Sequence, residues 1–354
     1  MSTIKQITIQ GYKSIQSLEN FKLNNLNILI GANGAGKSNF ISLFKLLANI
    51  EAQNLQLYTQ ICGGPDSLLF YGRQITNKIH IKFDFGDYGY GFDLIPTADN
   101  RLIFETESLY DHDCCSIIAK GNEESQLKNT KLTAANEISS TIYSWKIYHF
   151  HDTSDNAKVK QLQSVSDNIN LQSDASNLAP YLKRLKTEYP DNYNQIVKTI
   201  KMVAPFFKDF VFRDKENIEL EWAEIKNPDK PFKAYMLSDG TLRFICLATL
   251  LLQPFDLMPD IILIDEPELG LHPYAINILS SLIQRASQKK PLIISSQSIE
   301  LIDNFQSEDL VIINHEKNRT VFNRLDNDKL DAWLEEYSLS ELWKSNLLGG
   351  RPSR

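Results

Sequence analysis

The chain has 354 residues, 42% of them hydrophobic, enough for one large domain or two modest ones around a sizeable core. A net charge of -7 excludes a wholly basic nucleic-acid coat, and four cysteines, two adjacent (Cys114, Cys115) and two isolated (Cys62, Cys246), fit neither a disulfide framework nor paired zinc ligands. The longest apolar run, Phe244 to Leu252, falls far short of the roughly 20 residues a membrane helix needs, and the start has no apolar leader core, so the expectation is a soluble cytoplasmic protein with no membrane partner.

In chain order, the opening "TIKQITIQGYKSI" alternates like a half-buried strand, and Leu26–Ile30 reads as a short strand buried on both faces. "GANGAGKSNF" (residues 31–40) follows directly. Apolar residues at 40, 41, 43, 44, 47 and 50 then recur at helical spacing, so strand, glycine loop and helix stand in the order a phosphate site requires. Gly31, Gly36, Lys37 and Ser38 fit the G-x-x-x-x-G-K-[ST] pattern, with Asn33, Gly34, Ala35 and Asn39 completing the candidate binding loop. Glycines let backbone N–H groups converge on phosphates, Lys37 reaches the outer phosphates, and the Ser38 hydroxyl is a ligand for Mg²⁺.

Between about 76 and 150 the pattern changes to period two, in "KIHIKFDF", "YGYGFDL", "RLIFE" and "SWKIYHF", which predicts an antiparallel meander. Residues 153–205 are first polar and then helical. They carry Lys183, Arg184, Lys186, Lys198 and Lys201 against only Glu188 and Asp191, as either a phosphate-binding patch or a solvated helical face. From Ile218 onward apolar strands alternate with helices, the rhythm of an α/β fold. No heptad array is visible, so no long coiled-coil arm is expected.

Two later stretches add chemistry. "IILIDEPELGLHP" (residues 261–273) buries a strand and ends it on Asp265, where open α/β sheets place ligand chemistry and where a carboxylate joins the Mg²⁺ shell; Glu266 is next along, positioned as a water-polarising base. "MLSDGTLRF" (residues 236–244) lies 27 residues ahead of Asp265, counted from Ser238, and its Ser238 and Gly240 open a helix as another anion site. The six histidines form no metal cluster, and no nucleophile–histidine–acid arrangement is recognisable.

With these motifs in this order, "GYKSI", "GANGAGKS", "LSDGTLR", "DEPELGLHP", "IISSQS" and "YSLSELWKSNLLGGRP", the chain resembles the RecF/SMC/Rad50-like branch of ABC-type ATPases, and within it the stand-alone AAA family ATPases of AAA-21 type. The resemblance implies an α/β P-loop NTPase of the ABC ATPase head kind. The head would take residues 1–152 and 206–354, with an antiparallel β subdomain at about 76–150 and a helical insertion at 153–205. It assigns Lys37, Ser38 and Asp265 to ATP and Mg²⁺, Glu266 to water activation, and Ser238 with Gly240 to the nucleotide of a second chain. Glu268, Gly270 and His272 would fall in a segment at the seam of that homodimer. "LSDGTLR" departs from the family's Leu-Ser-Gly-Gly-Gln at Asp239 and Thr241, and Gln297 stands where transporter relatives carry a switch histidine. Gln297 is able to hydrogen-bond a phosphate but not to carry its proton. Gln74 is the candidate for the family's Q-loop glutamine, with an exposed turn residue as the other reading, and Lys13 and Ser14 would approach the nucleotide from the first strands.

The function this implies is an ATP-driven dimerising switch on or near DNA that controls a separately encoded effector, in bacterial anti-phage defence or DNA maintenance. Two other classes stand beside it. A transporter nucleotide-binding subunit fits poorly, because 201 residues separate Lys37 from Ser238, more than a compact cassette uses. A nucleotide-holding scaffold, or a DNA-end-binding protein with little turnover, has no need of Glu266.

Overall fold

The computed structural model describes residues 4–111, 114–325 and 337–345. The chain divides into two compact units, one formed by Met1–Ile147 with Gln306–Arg354, the other by Tyr148–Phe305. Among the described residues no helix is long and apolar enough to cross a membrane.

In the first unit, buried Ile7 and Ile9 alternate with half-exposed Thr8 and Gln10, and the strand Gln6–Tyr12 pairs antiparallel with both Ile15–Lys22 and Ile79–Asp84. The sheet continues antiparallel through Tyr88–Pro96, Leu102–Asp111 and Cys114–Ala119. Period two dictates this, since Ile79, Ile81 and Phe83 share the buried face while Lys82 faces out. Gly89 and Gly91 leave room for the Tyr110 ring to lie across the sheet; a Cβ on Gly91 would stand 3.1 Å from it.

A second ladder carries the phosphate loop. Leu26–Ile30 is buried at every residue and runs parallel to Leu310–Glu316, with Ile28 opposite Leu310 and Ile30 opposite Ile312. Lys317 and Asn318, both left-handed (φ 47° and 65°), then turn the chain into antiparallel Arg319–Arg324. Two consecutive positive φ values match the right-handed twist of a tight hairpin. The helix Lys37–Glu51 packs on this ladder and on the meander. Phe40 lies 5.4 Å from Phe322, and Phe44 lies 6.5 Å from Phe83 and 5.4 Å from Trp145, centroid to centroid. Each buried ring contributes about 1.5–3 kcal/mol, so the loop's exit is anchored by the core.

The meander ends earlier than the alternation at 144–150 suggests. Thr133–Ser144 is a helix, and only Lys146–Tyr148 is strand. The helix buries Ala134, Ala135, Ile138, Thr141 and Ile142, a spacing of one face on which only the two isoleucines are large, so its apolar signal is weak.

The second unit holds the parallel pair Ile262–Asp265 and Leu292–Ser296, with Asp265 opposite Ser295, and the helix Pro273–Ser287 joins them. The helix Asp239–Leu252 is buried nearly all round from Phe244 on, because it also packs against Pro190–Val203 and Pro273–Ser287. Leu178–Glu188 and Pro190–Val203 are amphipathic, and Phe207–Val211, Glu221–Glu224 and Phe232–Lys233 form a small antiparallel sheet over Tyr193, Phe207 and Trp222.

Candidate functional site

The phosphate loop leaves its strand at Gly31 and enters the helix at Lys37. Gly34 and Gly36 are left-handed (φ 80° and 115°), a conformation L side chains rarely adopt, and any Cβ on Gly36 would collide with the Thr320 side chain. The helix has Gly36 as N-cap with no side-chain cap hydrogen bond, and a helix start of this kind favours an anion. Lys37 is buried, and its ammonium donates to the carbonyls of Gly31 (2.5 Å) and Ala32 (3.2 Å). Asn33, Gly34 and Ser38 are exposed, Asn39 is half-buried, and Ala35 is buried.

A hydrogen-bond chain supports the loop from beneath. Asn39 Nδ2 donates to Ser14 Oγ (2.7 Å), which bonds Thr320 Oγ1 (2.7 Å), which donates to the Ala35 carbonyl (3.0 Å). Thr320 is a residue that sequence reasoning missed, since it lies nearly 300 positions from the loop and reaches it only through the 317–318 hairpin. Lys13 is left-handed (φ 50°), and burial holds its ammonium below the usual lysine range. Lys13, Ser14 and Asn39 line an open groove of about 670 Å³ together with Asp66, Tyr71 and His315. Gln74 sits in an exposed turn. Of the closing motif, residues 346–352 lie outside the described residues.

In the second unit, Asp265 ends its strand with Oδ1 accepting from Ser295 Oγ, and its carbonyl accepts from His151 Nε2 (3.0 Å). Glu266 is left-handed (φ 45°), its N–H donates to the Ser295 carbonyl (3.0 Å), and its carboxylate accepts from Gln297 Nε2 (2.9 Å). A non-glycine residue held there costs roughly 1–3 kcal/mol and persists where surroundings over-determine it, as at ligand and catalytic sites. Glu268 is 8% exposed. Its Oε1 accepts from Ser296 Oγ and from the N–H groups of Gln297 and Ser298, its Oε2 has no partner, and burial pushes its carboxyl above the usual range. Its carboxylate therefore clamps the turn carrying Gln297. His272 caps the next helix, its Nδ1 accepting from the Tyr274 N–H (3.3 Å).

Ser238 is exposed and caps the helix Asp239–Leu252, accepting from the Thr241 N–H (3.2 Å). Gly240 is pressed against the Gly270 carbonyl, which any side chain would strike. Tyr235, Met236, Leu269 and Tyr274, all exposed, flank these glycines in sequence. In the basic stretch, Lys183 pairs with Asp214, Arg184 with Glu188 and Lys186 with Asp209, the pattern of a solvated helical face; Lys198 and Lys201 are exposed.

Each of the two stretches has a chemistry of its own. The loop offers an uncapped helix start, an ammonium and an exposed hydroxyl, and the strand end at 265–266 offers two carboxylates held by hydroxyl and amide donors.

A family model described as "AAA domain, putative AbiEii toxin, Type IV TA system" matches residues 26–303. No curated protein matches the chain. Among solved structures, the chain is similar to an SMC head bound to the C-terminal winged-helix domain of ScpA, at 14% identity and a TM-score of 0.62, covering 92% of this chain and 99% of that one. It is also similar to an Smc head with an extended coiled coil bound to the C-terminal domain of ScpA, derived from Pyrococcus furiosus, at 13% identity and a TM-score of 0.59, covering 95% and 99%. At such identities the likeness shows the fold, that of a P-loop NTPase head.

Proposed function

Because the chain belongs to that AAA-domain family, we propose that it binds and hydrolyses ATP, dimerises across the bound nucleotides, and so switches a separately encoded effector, a nuclease or toxin, in anti-phage defence or DNA maintenance. The observation that carries the enzymatic part is Glu266, kept in a left-handed backbone with its carboxylate on the Gln297 amide. A protein that only held nucleotide would have no use for a strained carboxylate beside Asp265.

In this reading the loop N–H groups and Lys37 bind the phosphates, and Ser38 and Asp265 hold Mg²⁺, which when bound neutralises phosphate charge. Glu266 accepts the proton of the attacking water, and Gln297 orients that carboxylate while offering an amide donor to phosphate. Lys13 and Ser14 flank the nucleotide from the first strands. Ser238 and Gly240 present their helix start to the nucleotide of the partner chain, and the exposed Tyr235, Met236, Leu269 and Tyr274 supply apolar surface for a seam. The head is taken as residues 1–152 and 206–354 and the insertion as 153–205, and the protein as cytoplasmic. DNA is a secondary ligand in the proposal, since three cations of the insertion are already matched by acids.

The test is steady-state phosphate release from ATP and Mg²⁺ by the purified protein beside Lys37→Ala. Turnover confined to the unmodified chain supports the reading; equal rates overturn it.

A further inference from the structure

Arg243 takes no part in the chemistry above, yet its guanidinium binds three backbone carbonyls on two segments. It lies on the helix that Ser238 caps, five residues on. Nε donates to the Phe150 carbonyl (3.0 Å), Nη2 to the His151 carbonyl (2.9 Å) and Nη1 to the Leu269 carbonyl (2.8 Å). A planar fork on three carbonyls fixes the spacing of what it touches, which a flexible ammonium cannot do.

Both contacted segments lead to the hydrolytic turn. His151 donates through Nε2 to the Asp265 carbonyl, and the Leu269 N–H donates to the Glu266 carbonyl (3.2 Å). Two glycines make room for the arrangement. Gly240 abuts the Gly270 carbonyl, and a Cβ on Gly270 (φ 75°) would stand 2.6 Å from Arg243 Nη1. The exposed end of the Ser238 helix thus has two short, fully hydrogen-bonded routes to Asp265 and Glu266.

We infer that Arg243 and His151 are positioning residues which couple the Ser238 helix start of a chain to the Asp265–Glu266 turn of that same chain. This rests on the dimer reading, in which Ser238 meets the partner's nucleotide while Asp265 and Glu266 serve the chain's own. Engagement of the partner's ATP by Ser238 then sets the turn for hydrolysis, so ATP in one composite site licenses turnover in the other. Two coupled sites give sigmoidal dependence on ATP, with a Hill coefficient approaching about 2.

The experiment measures ATP turnover against ATP concentration for the unmodified protein, Arg243→Ala, Arg243→Lys and Gly270→Ala, with equilibrium ATP binding in parallel. Arg243→Ala should bind ATP as before, lose roughly tenfold in maximal rate, and drop to a Hill coefficient near 1. Arg243→Lys should not restore the sigmoid, because one ammonium cannot span three carbonyls. Gly270→Ala keeps the charge but displaces the fork, should behave as Arg243→Ala does, and decides the matter if the arginine variants fail to fold. A sigmoid retained in the folded variants, or a hyperbolic curve for the unmodified protein, overturns the coupling. Absence of turnover in the unmodified protein overturns the ATPase reading instead.

Discussion

Lys37 is buried with its ammonium on two loop carbonyls, so in the proposed site its charge is held at the loop before nucleotide binds and little side-chain entropy is left to lose. Lys37→Ala removes charge-assisted hydrogen bonds of about 1.5–3 kcal/mol, so ATP affinity measured by calorimetry should fall roughly 10- to 100-fold, and the melting temperature should drop as well because the Gly31 and Ala32 carbonyls lose their donor. Glu266→Gln should act differently. The amide keeps the shape but cannot take a proton, so phosphate release should slow by roughly 10²–10⁴ while ATP binding persists; a turnover rate equal to the unmodified protein would remove Glu266 from the chemistry. Glu268 has a third signature, in pH. Burial raises its folded-state pKa, so its contribution to stability is full below the unfolded carboxylate pKa and is lost as pH rises through the folded value. Between about pH 5 and 8 the melting temperature of Glu268→Gln should therefore gain on that of the unmodified protein. Parallel curves would show that Glu268 is ionised in the fold.

At the scale of elements, the phosphate loop is held from outside its own segment. The strand and helix around it are legible from apolar runs and spacing, but the Asn39–Ser14–Thr320–Ala35 chain depends on a hairpin far along the sequence. Thr320→Val keeps the volume and leaves the Ala35 carbonyl unpaired, at a cost of about 1–3 kcal/mol. Because that carbonyl lies in the loop, hydrogen exchange should rise across residues 33–39 more than elsewhere, and ATP affinity should fall with it. Uniform loosening of the whole unit would mean that Thr320 is only a core residue. The helix Thr133–Ser144 teaches the opposite lesson. Its buried face was present in the sequence, but with two alanines and a threonine beside Ile138 and Ile142 it carries too little hydrophobic contrast to stand out beside the alternating strands before it.

For the whole molecule, the proposed dimer makes a prediction that a monomeric ATPase does not. Ser238→Arg should leave ATP binding near normal and abolish turnover. Mixing it with Lys37→Ala should return some activity, since a heterodimer has one composite site bearing both lesions and one bearing neither. Full turnover by Ser238→Arg alone, at a specific rate independent of protein concentration, would show that one chain completes its own site.

What the sequence by itself determined is local. The Gly31–Ser38 loop, the Asp265–Glu266 strand end and the Ser238 helix start are each written in contiguous residues, because glycine φ freedom, apolar runs and cap chemistry act over a few positions. Tertiary structure alone decided what these pieces are tied to. Thr320 lies under the phosphate loop, Glu268 points inward to clamp the Gln297 turn, and Arg243 gathers the carbonyls of Phe150, His151 and Leu269. None of these partners is a neighbour in sequence, and a buried carbonyl or carboxylate accepts whichever donor the fold brings within reach. Pairings of that kind leave no spacing or period in the chain to be read.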